Sequence, residues 1–279
     1  MERKYRRRQL STQIDDFYEV EDGLGWETCS LFDLVNDQQI GRLIEDCLSD
    51  PDGDNWCVAT GYRGLERTNK AHIRIPDKIN GKLVIGIGNP KSPTPFLYGR
   101  FDNEGGEFTP LYNVLSIRIP ESVRFIVDDF VCPNLKDVNI PRSLEYIGSY
   151  SYCGYKKPTV TIPGCVRVIS DHAFVNSSLQ NVVIEEGVRE IREEAFGDAI
   201  HLNTITLPKS LDFIDSTAFT HWRTQYGEHL SYASYSRFNL TNRNALQNVF
   251  RLCDATFFVP SDSYALRFVK TMGYTYEII

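Results

Sequence analysis

Few residues in this chain have the types and spacing that chemistry needs. Asp50-Pro51-Asp52-Gly53-Asp54 sets three carboxylates at alternate positions, as a calcium loop does. That loop needs glycine at its sixth position and glutamate at its twelfth. Here the glycine is fourth and the twelfth residue is Gly61, so the segment reads as a turn. Gly86-Ile87-Gly88 lacks both the lysine of a phosphate loop and the third glycine of a dinucleotide fold. The histidines, His72, His172, His201, His221 and His229, are scattered. His221 and His229 with Glu228 make only a weak metal pair. Seven cysteines, an odd number with no Cys-x-x-Cys, signal neither a disulfide framework nor a zinc site. No Gly-x-Ser-x-Gly elbow occurs. The sequence therefore predicts no catalytic residue, no metal and no cofactor.

Charge and composition narrow the classes further. Of 279 residues, 30 are Lys or Arg and 37 are Asp or Glu, giving a net charge of −7. Hydrophobic residues make up 42%, which a globular core requires and a disordered chain lacks. The acidic balance argues against whole-surface binding to nucleic acid. No stretch approaches the roughly 18 apolar residues of a membrane span. The start, Met1-Glu2-Arg3-Lys4-Tyr5-Arg6-Arg7-Arg8, is basic, and no apolar run follows it as in a secretory signal. This predicts a cytoplasmic chain. Arg3–Arg8 reads as a solvated end, or as the one place where nucleic acid could bind.

The elements that must position any site come from a repeat. An apolar residue precedes proline at Ile75-Pro76, Ile119-Pro120, Ile140-Pro141, Ile162-Pro163, Leu207-Pro208 and Val259-Pro260, with Ile184-Glu185 in the same phase. Successive spacings are 44, 21, 22, 22, 23 and 52. The first reads as two units of 22, the last as two units with an eight-residue excess. Val123, Leu144, Val166, Val188 and Leu211 follow the proline position by three. Ile126, Ile147, Ile169, Ile191 and Ile214 come three later. Then an aromatic recurs at Phe130, Tyr152, Phe174, Phe196 and Phe219, usually after a small residue. Leu135, Leu179 and Leu202 open the next strand, and Lys157 breaks that column. One such unit cannot bury its apolar face alone, but stacked units share one core.

Leu135-Lys136-Asp137-Val138-Asn139-Ile140-Pro141-Arg142-Ser143-Leu144-Glu145-Tyr146-Ile147-Gly148 resembles the BspA-like family of leucine-rich repeats. The resemblance covers 111–219 strongly and 55–88 moderately, and 254–279 resembles the family's closing segment. It implies a β-rich α+β fold: a right-handed leucine-rich-repeat solenoid of short parallel strands, with a ligand-binding or adhesive role. Many members are secreted or surface-bound, so a surface adhesin is an alternative function.

The organisation expected is a basic tail and helical cap or adaptor over 1–54, then a solenoid over 55–279. Residues 29–49 carry helical apolar spacing. Ile79-Asn80-Gly81-Lys82 reads as a hairpin with an Asn-Gly turn. Ser261 or Asp262 should cap a short C-terminal helix that ends near Met272, before Gly273. Insertions fall at 89–110 and 220–240; the second holds Trp222, Arg223, Tyr226, Tyr232 and Tyr235, aromatics and Arg of the kind enriched at binding hot spots. They either bind or pack over the solenoid edge. Strand alternation turns Arg74, Arg118, Asp137, Asn139, Thr159, Thr161, Asn181, Thr204 and Thr206 outward, with His72, Ser116 and Val183 in phase. This predicts a non-catalytic module that binds a protein through the polar strand face and an aromatic insertion. A peptide or glycan ligand and a homo-oligomer are further expectations.

Overall fold

A computed structural model describes residues 6–7, 18–19, 26–29, 55–62, 72–88, 98–101, 108–110, 115–127, 130, 136–222 and 250–279. The repeat folds as a leucine-rich-repeat solenoid of short parallel strands. Each coil contributes one strand to each of two ladders. The first ladder runs through His72–Arg74, Ser116–Arg118 and Asp137–Val138, and resumes through Thr159–Ile162, Asn181–Ile184, Thr204–Thr206, Thr256–Val259 and Thr275–Ile278. The second joins Trp56–Tyr62, Lys82–Ile87, Phe125–Ile126, Tyr146–Ile147, Val168–Ile169, Glu190–Ile191 and Phe213–Ile214. The third side is made of turns, yet it too is laddered. Tyr152 N–H donates to the Ala173 carbonyl at 2.8 Å, Phe174 to Ala195 at 2.7 Å and Phe196 to Ala218 at 2.8 Å.

The repeating residue types explain the coil. Proline ends the first-face strand because it has no N–H to donate. Its carbonyl then accepts from the N–H of the residue three on: Pro120 from Val123, Pro141 from Leu144 and Pro163 from Val166, at 3.0–3.2 Å. That turn delivers the apolar residue inward. The serine two residues after proline closes the corner between coils. Ser122 donates to the Val84 carbonyl and Ser143 to Val123, both at 2.7 Å, and Ser210 to Val188 at 2.8 Å. Where Gly164 and Gly187 replace larger residues, neighbouring coils touch by backbone. A Cβ on Gly187, which sits at φ +116°, would lie 2.1 Å from the Gly164 carbonyl oxygen.

The core is one continuous column. Tyr152, Phe174, Phe196 and Phe219 stack in parallel, with ring centroids 5.1, 5.3 and 5.3 Å apart and planes within 9°. Ala173, Ala195 and Ala218 are fully buried before Phe174, Phe196 and Phe219, and the small Ser151 is buried before Tyr152. Phe257 meets Phe219 edge-on and packs on Tyr274, which Phe268 covers. Phe268 belongs to the C-terminal helix Tyr264–Met272, so that helix closes the apolar column.

Several expectations need correction. Both long spacings are single coils with an excursion. His72 is the ladder neighbour of Ser116, and Thr204 of Thr256, so no unit lies between them. Counting residues cannot separate a skipped unit from an inserted loop; the ladder can. The first excursion includes the antiparallel pair Tyr98–Phe101 and Phe108–Pro110. The second opens and closes on an antiparallel pair, Thr220–Trp222 with Phe250–Leu252, so it runs past residue 240. The basic tail enters the sheet: Arg6–Arg7 pairs with Tyr18–Glu19, which joins His72–Arg74. Trp26–Cys29 pairs with Trp56–Tyr62 at the start of the second ladder. The helical reading of 29–49 and the turn at 50–54 lie outside the described residues. The C-terminal helix is capped by Ser263, whose Oγ accepts from Leu266 N–H at 3.0 Å; Asp262, at φ +51°, cannot take the extended cap geometry. Gly273 ends it in the left-handed region at φ +81°, and a final parallel strand follows that the sequence reading missed.

Truncating one ring should be felt through both neighbouring coils. Phe196→Ala is expected to cost about 3–5 kcal/mol, read from the urea unfolding midpoint. A loss below about 1 kcal/mol would mean that the column carries little of the stability.

Candidate interaction surface

The first face presents two outward rows. Thr159, Asn181, Thr204, Thr256 and Thr275 stand in one register, and Thr161, Val183, Thr206, Phe258 and Glu277 in the other. Adjacent strands lie about 4.8 Å apart, which makes a regular array of hydroxyls along this stretch. Thr159 and Thr161 are exposed and Asn181, Thr204 and Thr206 half-buried. Thr204 Oγ1 donates to Asn181 Oδ1 at 2.7 Å. Val183 is 40% exposed, an apolar point within the polar array.

The other end of this face is charged. Arg118 Nη2 donates to Asp137 Oδ2 at 2.6 Å, and Lys157 pairs with the other oxygen of the same carboxylate. Partial burial alone would raise the Asp137 pKa, but hydrogen bonds and charge from Arg118 and Lys157 outweigh it and hold the group below its ordinary range. Burial, helped by the Asp137 charge, pushes the nearby Tyr155 phenol up to about 12. Lys157 was missed as a site residue. Its signal was its break in the leucine column.

Asn139 has a structural task. Its Oδ1 accepts from Ile119 N–H and its Nδ2 donates to the Ile119 carbonyl, both at 2.8 Å. The side chain thus supplies the rungs where strand pairing stops after Val138. His72 Nδ1 lies 2.7 Å from Ser116 Oγ. Ser116 is 2% exposed, so this pair offers no accessible nucleophile. Arg74 is the register neighbour of Arg118. Trp222 lies on a strand of the second excursion, while Arg223, Tyr226, Tyr232 and Tyr235 lie outside the described residues. The structure places Arg74, Arg118 and Asp137 on one five-stranded sheet, with Asn139 just past its last strand, and Thr159, Thr161, Asn181, Thr204 and Thr206 on a second; it does not test the loop residues.

The remaining surface differs. On the second face, Arg124 pairs with Glu145 at 2.6 Å and Arg189 with Asp212 at 3.2 Å. Phe125, Tyr146, Val58, Ile85 and Val127 form a separate buried cluster there. A Cβ on Gly86 would meet the Phe125 ring at 2.2 Å, so glycine lets the ring lie flat. On the third side Tyr150 stacks on His172 at 4.7 Å, and His172 Nε2 lies 3.4 Å from the buried Glu194 carboxylate. All three take left-handed backbone. Among the described residues no group of three His, Cys, Asp or Glu could hold a metal. No described helix is long and apolar enough to cross a membrane.

Comparison with known proteins names this architecture. Residues 106–225 match the model of the BspA type leucine rich repeat region, in six copies, so the repeats of that segment are of this type. No curated protein matches the chain. A leucine-rich repeat protein from Bacteroides ovatus is 26% identical with a TM-score of 0.44, over 58% of this chain and 40% of that one. The leucine-rich repeat protein of T. pallidum is 18% identical with a TM-score of 0.46, over 82% and 92% of the two chains. A leucine-rich cell surface protein from Faecalibacterium prausnitzii is 24% identical with a TM-score of 0.40, over 60% and 48%. The aligned part thus spans less than half of the first and third proteins.

Asp137→Asn leaves Arg118 and Lys157 facing each other. It is expected to lower stability by about 1 kcal/mol at neutral pH, the upper end for half-exposed pairs. A carboxylate held below its unfolded value of about 3.9 stabilises the fold above that value. Its contribution is lost as pH falls through the depressed folded value. Urea unfolding of both proteins from pH 7 to pH 2 should show the gap closing below about pH 3.9. A gap that stays constant to pH 2 contradicts this account.

Proposed function

We propose that this chain is a non-catalytic module that binds a partner protein on its first face. One observation carries the reading: two registered outward rows, hydroxyls with an exposed Val183 among them, run along a single parallel sheet. Such a sheet is held rigid by the coils beneath it, so its side chains need little ordering when a partner docks. On the second face Arg124 pairs with Glu145 and Arg189 with Asp212. The BspA-type repeats support the reading, since stacked repeats build extended surfaces rather than deep pockets.

The test begins with an affinity pull-down from native lysate at moderate salt, followed by binding measurements on the protein retained. Thr161→Gln with Val183→Gln roughens the first face without adding charge. Phe213→Gln alters an equally exposed position on the second face (43% against 40%). The first variant should weaken binding at least about tenfold, equivalent to about 1.4 kcal/mol, while the second leaves it unchanged. Retention of affinity by the first variant, with its fold intact by circular dichroism, contradicts the proposal.

A further inference from the structure

The sheet that begins at Thr159–Ile162 has Thr275–Ile278 as its outermost strand. Two core-facing columns reach that strand. In one, Val160, Val182, Ile205 and Phe257 are followed by half-buried Tyr276. In the other, Ile162, Ile184, Leu207 and Val259 are at most 2% exposed, while Ile278, the register neighbour of Val259, is 56% exposed. The C-terminal helix covers Tyr274 through Phe268 and leaves Ile278 in water. The backbone is open at the same place. Ile279 N–H donates to the Val259 carbonyl at 3.0 Å, and on the far side of that strand Leu207 N–H donates to the Phe258 carbonyl at 2.9 Å. Rungs alternate between the two sides of a strand. Glu277 and Ile279 therefore bond inward to the sheet, and Tyr276 and Ile278 turn their N–H and C=O groups to the outer edge. Among the described residues no strand pairs with that edge. Such a row of open groups is a template for another strand. No proline and no bulge blocks it. Its one charge, Glu277, is exposed and forms no ion pair with a described residue.

We propose that the outer edge of Thr275–Ile278 accepts an extended segment of a partner protein as one more strand, and that this segment carries a basic residue between two apolar ones. The edge belongs to the sheet whose outward rows were assigned a partner above, but the inference goes beyond that reading and stands without it. The side-chain period of two sets the pattern. Residues opposite Tyr276 and Ile278 lie on the core side, where apolar groups cover Ile278 and continue its column. The residue between them lies on the outward side beside Glu277. There a lysine or arginine is attracted and a carboxylate repelled. In this mode of recognition main-chain bonds supply affinity and alternate side chains supply selection. A second copy of the chain fits less well. Symmetric antiparallel pairing through both open residues, Tyr276 against Ile278, sets Glu277 opposite Glu277, and like charges directly opposite destabilise a sheet.

The probes are two fluorescent peptides, acetyl-Ser-Thr-Val-Lys-Val-Thr-Ser-amide and its twin with glutamate in place of lysine, titrated against the whole chain. The lysine peptide should bind at least about threefold more tightly, since an opposite-charge pair replaces a like-charge one. Glu277→Lys should reverse that order, a result that a folding defect cannot produce. Ile278→Pro removes one outward N–H and leaves the inward bond of Ile279 in place, as proline on an edge strand allows. It should lower affinity for the lysine peptide at least about tenfold, with circular dichroism unchanged. If that variant misfolds, the Glu277 reversal decides. Thr161→Gln with Val183→Gln should leave peptide affinity unchanged, so the edge and the outward rows fail separately. No binding of the lysine peptide, equal binding of both peptides, or a folded Ile278→Pro variant that binds as before overturns the proposal. A dimer in sedimentation that Ile278→Pro dissociates, with no peptide bound, also overturns it, in favour of a second copy on this edge.

Discussion

The structure depends on registration between coils. No coil has a core of its own; each lends its apolar side chains to a column that continues through its neighbours. The stacked rings of Tyr152, Phe174, Phe196 and Phe219, about 5 Å apart, set the same pitch as the two parallel ladders. Backbone hydrogen bonds on the turn side keep it as well. Three independent sets of contacts therefore agree on one spacing. That agreement fixes where every outward side chain stands, and so fixes the geometry of the first face.

Open columns must be closed. At the C-terminal end, Phe257, Tyr274 and Phe268 carry the aromatic packing from the coils to the capping helix. At the N-terminal end, short strands extend both ladders: Arg6–Arg7 and Tyr18–Glu19 on the first, Trp26–Cys29 on the second. An edge strand rich in arginine resists pairing with another chain.

How much of this was legible in the sequence follows from what repeats. The inward positions recur with the pitch, so their types and spacing announced the solenoid, the buried columns and the outward rows. The Asn80-Gly81 turn and the αL stop at Gly273 were readable because local backbone geometry demands those residues. The pairing of Asp137 with Lys157, the bridging amide of Asn139 and the entry of Arg6–Arg7 into the sheet were not readable. They depend on which strands become neighbours, and that is set by ladder register across long separations. The same cause hid the two excursions. A spacing of 52 looks like multiple units until Thr204 is found beside Thr256.

The central claim is that the first face, and no other, recognises the partner. Val183 and Phe213 are almost equally exposed, at 40% and 43%, and they stand on different ladders. Hydroxyl-radical footprinting of the chain, free and bound to its captured protein, reads both side chains in one experiment. The account predicts that labelling of Val183 falls on binding while that of Phe213 stays constant. Protection of Phe213 with Val183 still labelled would contradict it.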